Sequence, residues 1–285
     1  MRVLLTGANG QLGRCFQDRL PAGWQILATD FAELDITDLE PLTAAVAAFR
    51  PNAIVNAAAY TAVDKAESEV ELAERINAAG PANLASVAAQ HGIRLVHVST
   101  DYVFDGNTTT PYTEESPTNP LSVYGITKLA GERAVSAAAP DAIIVRTAWV
   151  FSEYGNNFVK TMLRLGKERD ALSIVDDQRG CPTYAGDLAQ AIIALLQQNA
   201  AGGIYHYAGD KEVSWFEFAQ AIFSAAVQKA VLSKAPTLTP ITTAQYPTPA
   251  HRPAYSTLAG EKIKTLGIAL SDWQGALQKT IQPIG

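Results

Sequence analysis

Thr6-Gly7-Ala8-Asn9-Gly10-Gln11-Leu12-Gly13 follows a short apolar run, Arg2–Leu5, and opens a helical pattern over Gln11–Leu20. A strand that turns on glycines directly into a helix leaves few folds open. The glycines permit a tight turn and a close backbone approach, and the helix N-terminus becomes a natural anion site. The alternation continues along the chain. Gln25–Ala28, Ala53–Asn56, Arg94–Val98 and Ala142–Arg146 are short β-branched or aliphatic runs separated by alanine-rich helical stretches. Strands that alternate with helices imply βαβ units and a parallel sheet. Such strands are buried on both faces, which accounts for their near-continuous apolar character. The expected fold class is α/β: a Rossmann-type doubly wound parallel sheet with a smaller C-terminal substrate-binding lobe.

The regular pattern weakens after about Trp149. Asn156–Lys167 and Tyr184–Gln198 still read as helices, and Ser214–Val227 is amphipathic, with Ser214 as N-cap and Glu217 in capping-box position. Ala235–Pro253, with its five prolines, reads as a loop. The expected organisation is a dinucleotide-binding domain over 1–150, to which later segments return, and a mainly substrate-binding lobe over 151–285.

The charge balance narrows the function classes. With 28 acidic and 22 basic residues the net charge is −6, which argues against a nucleic-acid partner and against a polybasic membrane contact. No stretch approaches the ~20 apolar residues of a membrane span. The apolar run Val3–Leu5 is much shorter than a signal-peptide core, so the cytoplasm is the expected location. Two cysteines, Cys15 and Cys181, without a CxxC fit a reduced compartment and no disulfide framework.

Chemistry is suggested by Tyr124 and Lys128, which are i and i+4 on one helical face. A phenol titrates near 10, too high for efficient proton exchange at neutral pH, and a neighbouring ammonium lowers that value. A tuned phenol of this kind suits general acid catalysis. A hydroxyl at a strand end completes the set, and either Ser99 or Thr100 supplies it. For a dinucleotide, Gly7, Asn9, Gly10, Gln11, Leu12 and Gly13 form the phosphate turn. Asp30 ends the second strand, where a carboxylate binds the adenosine ribose hydroxyls and repels a 2′-phosphate; its plainer role is a turn or cap aspartate. Asp35 and Ile36 flank the adenine or belong to a simple loop. Ala57, Ala58 and Ala59 let another surface come close, either the cofactor or a packed helix.

Thr6–Gly13, Ser99–Tyr102 and Tyr124–Lys128 resemble the extended short-chain dehydrogenase/reductase superfamily. Asn56–Glu67, Ser99–Gly106, Arg146–Val150, Gly155–Phe158, Asp177-Gln178 and Tyr246–Pro253 narrow the resemblance to the dTDP-4-dehydrorhamnose reductase family, over essentially the whole chain. That resemblance implies Thr100, Tyr124 and Lys128 as the catalytic triad, NADPH or NADH as hydride donor, with Tyr124 and Lys128 also touching the cofactor, and a dTDP-sugar ketone as substrate. The related dehydratases carry an Asp-Glu pair after the threonine; here it is Asp101-Tyr102, which disfavours water elimination. Some reductases of the family pair through glutamates and Mg²⁺. The matching position here is Cys15, so no metal and a monomer or weak homodimer are expected. Thr61, Val63, Thr100, Tyr102, Trp149, Asn156, Gln178 and Arg252 are the expected substrate contacts, with Arg252 on the diphosphate and His251 as a further candidate. His91, His97 and His206 have no metal-like spacing and read as structural. The alternatives are a related nucleotide-sugar reductase or epimerase, and a non-catalytic regulatory subunit that keeps the fold.

Overall fold

Strands that are apolar on both faces need cover on both, and the fold supplies it. The computed structural model describes residues 1–281. Its main sheet is parallel throughout and has six strands: β1 (Arg2–Thr6), β2 (Gln25–Thr29), β3 (Ala53–Asn56), β4 (Arg94–Thr100), β5 (Ile143–Thr147) and β6 (Gly203–His206). Their order across the sheet is β2-β1-β3-β4-β5-β6. The direction of winding therefore reverses between β1 and β3, which sit side by side with Thr6 opposite Asn56. In open α/β sheets this reversal opens a crevice at the carboxyl ends of the strands.

The period-2 alternation of side chains decides what each face buries. Val3, Leu5, Val55, Val96 and Val145 pack beneath the helices Gln11–Asp18 and Ala185–Gln197. Leu4, Ile54, Leu95 and Ile144 pack against the helices Leu39–Phe49 and Gly80–His91 and against Val135 of the helix Val123–Ala138. Ala185–Gln197 lies well past the point where regularity fades in the sequence, yet it covers the sheet. A separate cluster around Phe151, Met162, Phe218, Phe223 and Trp273 unites the helices Phe158–Glu168, Trp215–Gln228 and Trp273–Thr280.

Three elements differ from the sequence expectation. β6 has only four residues, too few for its alternation to stand out beside Gly202 and Gly203. Within the expected loop Ala235–Pro253, Thr237–Ile241 forms a strand parallel to Ala171–Val175, with Pro240 opposite Ile174. It belongs to a two-stranded sheet, where a residue without an N–H is tolerated on the outer side. The helix expected from Asn156 begins at Phe158, because Asn157 is the N-cap and accepts from the Lys160 amide at 3.1 Å. The Ser214 capping box forms as expected: Ser214 Oγ accepts from Glu217 N, and the Ser214 amide donates to Glu217 Oε2.

Candidate active site

A cleft of about 760 Å³ opens at the carboxyl ends of the strands and runs from the glycine turn to Asn156. At one end Gly7 holds φ +71°, and a Cβ there would lie 2.6 Å from the Ala58 amide nitrogen. A Cβ on Gly13 would lie 2.2 Å from Gly7 O. Side chains are thus excluded where β1, β3 and the first helix converge. Gly10, by contrast, has no such crowding and caps the helix without a side-chain bond, so the free amides of its first turn face the cleft. Asn9, Gln11 and Leu12 line the same end. Gln11 Oε1 accepts from Ser152 Oγ at 3.0 Å and from Asn157 Nδ2 at 2.9 Å, tying the turn to the loop across the cleft.

Asp30 stands at the end of β2. Its Oδ2 accepts from the Asn9 amide at 2.8 Å and its Oδ1 from the Phe31 amide at 2.8 Å. One side chain thus braces the turn and lines the cleft. Asp35 and Ile36 also line the cleft, with Asp35 Oδ1 accepting from the Thr37 amide. Ala57, Ala58 and Ala59 line its floor, and the cleft wall between Asn9 and Thr37 carries no lysine or arginine. A glycine cradle, an uncapped helix N-terminus and an acidic group at the next strand end fit a dinucleotide.

At the centre Ser122 caps the helix Val123–Ala138, its Oγ accepting from the Gly125 amide at 3.2 Å. A Cβ on Gly125 would lie 2.3 Å from Tyr102 O, so the helix rests directly on the Thr100–Tyr102 turn. That contact brings the Tyr124 phenol within hydrogen-bonding reach of the Thr100 hydroxyl. Ser99 also lines the cleft, but its Oγ is buried without a partner. Of the two hydroxyls left open by the sequence, Thr100 is the one within reach of Tyr124. Burial pushes Tyr124 up to about 12 and Lys128 down to about 8. Lys128 donates to Val98 O at 2.7 Å and is 2% exposed. In this geometry the ammonium is anchored to the strand rather than to the phenol.

Asp101 follows Thr100 and is buried; Thr100 Oγ1 donates to its Oδ1 at 3.0 Å. Burial raises its carboxyl to about 6 despite the hydrogen bonds from Ser256 and Thr100. Thr61, Val63, Tyr102, Trp149 and Asn156 line the far end of the cleft. Trp149 holds φ +48° and stacks on Trp215 with centroids 3.5 Å apart.

Two expected substrate contacts are placed differently. Gln178 is outside the cleft lining: its Oε1 accepts from Trp215 Nε1 at 3.2 Å and its Nε2 donates to Thr243 Oγ1 at 3.0 Å. Both ends of its amide are thus bonded within the protein, and it braces Trp215. Arg252 is also outside the cleft lining: it lies within hydrogen-bonding reach of Tyr102, which does line the cleft, and forms a two-pronged pair with Asp64. His251 is exposed. Asp64, Glu67 and Trp215 were not singled out in the sequence. Asp64 and Glu67 carried one signal, two carboxylates three apart after the alanine run; Trp215 carried none beyond its place on an amphipathic helix. His97 and His206 are both buried, bonded to Asn56 and Tyr112 O, and Cys15 is buried in the core. No helix among the described residues is long and apolar enough to cross a membrane.

The family described as the RmlD substrate binding domain matches residues 1–285. A dTDP-4-dehydrorhamnose reductase from Aggregatibacter actinomycetemcomitans is 50% identical over 97% of both chains. Among solved structures, a dTDP-4-dehydrorhamnose reductase from Clostridium acetobutylicum superposes with a TM-score of 0.93 at 42% identity, covering 98% of each chain. The Bacillus anthracis dTDP-4-dehydrorhamnose reductase in complex with NADP gives 0.92 at 40% identity, again over 98% of each.

Proposed function

The chain belongs to the RmlD substrate binding domain family, and we propose that it reduces the C4 ketone of dTDP-4-dehydro-6-deoxy-L-mannose to give dTDP-L-rhamnose, with NADPH or NADH as reductant. The observation that carries this reading is the meeting of Thr100 and Tyr124, with Lys128 buried one turn on, in the cleft that begins at the glycine turn.

The dinucleotide, when bound, supplies a hydride to the carbonyl carbon. Gly7–Gly13 receive its pyrophosphate, and the carboxylate of Asp30 meets its adenosine ribose. Thr100 orients the ketone oxygen. As charge develops on that oxygen, Tyr124 gives it the phenolic proton and is left as phenolate, to be reprotonated from solvent. The Thr100 hydrogen bond opposes the upward push of burial on Tyr124, and a positive charge one helical turn on, at Lys128, favours the phenolate. Tyr102, whose ring meets that of Tyr124, and Trp149 line the same cleft. Tyr102 replaces the glutamate that elimination needs, which supports reduction over dehydration. We place this chemistry in the cytoplasm, where nucleotide sugars are made.

The test is cofactor oxidation, followed optically, with the 4-keto sugar nucleotide generated in situ and both cofactors run in parallel. Turnover that depends on the sugar is expected. Cofactor binding without turnover would instead favour the regulatory subunit or a different nucleotide sugar.

A further inference from the structure

We propose that Asp64 is a positioning residue for the nucleoside diphosphate: it holds the Arg252 guanidinium beside Tyr102 of the cleft lining, and the diphosphate docks on that held cation. The inference rests on the reductase reading and adds to it the device that sets the substrate-side charge.

The two residues are 188 positions apart in sequence and meet as a fork, Nη1 to Oδ1 at 3.0 Å and Nη2 to Oδ2 at 2.8 Å. The same Oδ1 accepts from the Ala250 amide at 3.2 Å. Arg252 Nη1 also donates to Thr248 Oγ1 at 2.6 Å and to Ala250 O at 3.2 Å. Asp64 therefore gathers the 248–252 loop around its own carboxylate. Pairing with the guanidinium and the Ala250 amide holds the Asp64 carboxyl below its ordinary range.

A partly exposed ion pair contributes little to stability. Its value is directional, because a two-pronged guanidinium–carboxylate pair fixes the plane of the arginine. The fork and the Thr248 and Ala250 contacts occupy both Nη1 hydrogens and one on Nη2, so of the five N–H donors of a guanidinium the Nε hydrogen and the second on Nη2 remain for Tyr102 and an anion. The held arginine is also within hydrogen-bonding reach of Tyr102, whose ring meets that of Tyr124 edge to face at 5.4 Å.

Asp64 has a second attachment to the chemistry. It sits on the short helix Val63–Ala66, whose first residue lines the cleft. Just beyond that helix, Glu67 Oε1 accepts from the Val123 amide at 2.9 Å, the first residue of the helix that carries Tyr124 and Lys128. One turn of chain thus fixes the substrate-side cation with one carboxylate and the catalytic helix with another. The distance between the diphosphate and the proton donor is set by this single frame.

The experiment compares wild type with Asp64→Ala, Asp64→Asn, Arg252→Ala and the Asp64→Ala/Arg252→Ala double variant. It reads sugar-nucleotide KM, dTDP Kd and NADH Kd, with thermal melts to verify folding. Asp64→Ala is expected to raise the sugar-nucleotide KM and the dTDP Kd about tenfold, the scale of one lost charge-assisted contact, with NADH Kd unchanged. Asp64→Asn keeps one acceptor oxygen and should show a smaller rise. The double variant should be no worse than Arg252→Ala alone, because Asp64 acts through the arginine. Losses that add in the double variant, an unchanged KM in Asp64→Ala, or tighter dTDP binding without Asp64 would each overturn the proposal. Absence of turnover in wild type would overturn the reductase reading instead, while the dTDP arm still decides the role of Asp64.

Discussion

Trp149 and Trp215 lie face to face, their ring centroids 3.5 Å apart and their planes within 5°. The stack joins the segment just after β5 to the first turn of the helix Trp215–Gln228, and it is held at both ends. Trp149 adopts φ +48°, an unfavourable backbone for a residue with a bulky side chain. Trp215 is pinned by its indole N–H to Gln178 Oε1 at 3.2 Å. A Cβ on Gly180 would come within 2.8 Å of the Trp149 ring, so the slot that holds the indole is closed from behind.

The first prediction follows from that clamp. Trp215→Leu keeps apolar volume but removes the stacked partner, which is worth about 1 kcal/mol beyond burial. Trp149 then gains freedom at the sugar end of the cleft. We expect kcat/KM for the sugar nucleotide to fall roughly fivefold, in line with that energy, with no change in cofactor affinity. Steady-state kinetics with each substrate varied in turn check this; a loss confined to the cofactor KM would break the link to the sugar end.

The second prediction concerns the proton donor. Tyr124→Phe keeps the ring, and with it the edge-to-face contact to Tyr102, but removes the transferable proton. Positioned proton transfer contributes about 10²–10⁴-fold to rate. Turnover should fall by at least about a hundredfold, while cofactor titration by fluorescence should be near normal. Near-normal turnover would remove Tyr124 from the acid role.

How much of this was legible in the sequence depends on how local each cause is. The glycine turn was readable because its spacing is local, with Gly13 closing on Gly7 O, even though the crowding at Gly7 comes from Ala57 and Ala58 of another strand end. Tyr124 and Lys128 were readable because four residues make one helical turn. Thr100 could not be separated from Ser99, since strand alternation shows only that the two point to opposite faces and not which face the catalytic helix covers. Gln178 was misplaced because its partners, Trp215 and Thr243, lie 37 and 65 residues away. Arg252 was singled out, but its ion-pair partner Asp64 was not; no pattern in either segment links positions 188 apart. The strand Thr237–Ile241 was hidden by Pro240, which reads as a breaker unless the sheet edge is known.

The third prediction concerns cofactor choice. Asp30 places a carboxylate at the end of β2, braced by the Asn9 and Phe31 amides, and the cleft wall there has no cation to receive a 2′-phosphate. Like charges at this distance disfavour NADPH. We expect wild type to prefer NADH, and Asp30→Ser to shift the NADPH to NADH ratio of kcat/KM towards NADPH by about tenfold, one decade per ~1.4 kcal/mol. A ratio unmoved by the substitution would show that Asp30 serves only the turn.

The last prediction uses pH. Asp101 is buried beside Thr100, and burial raises its carboxyl from the ordinary 3.8 to about 6. A raised acid means that the folded state binds its proton more tightly than the unfolded chain does. Between pH 4 and 6 the folded state therefore carries more protons, and stability falls as pH rises through that window. Above it the penalty is complete, on the order of 3 kcal/mol for a shift of this size. Asp101→Asn removes the titration while its Oδ1 can still accept from Thr100. The variant should be more stable than wild type at pH 7 to 8, and the difference should shrink towards zero as pH falls below about 4. Melting temperatures of both proteins across that range decide it. A constant offset at every pH would mean that Asp101 is not the titrating group.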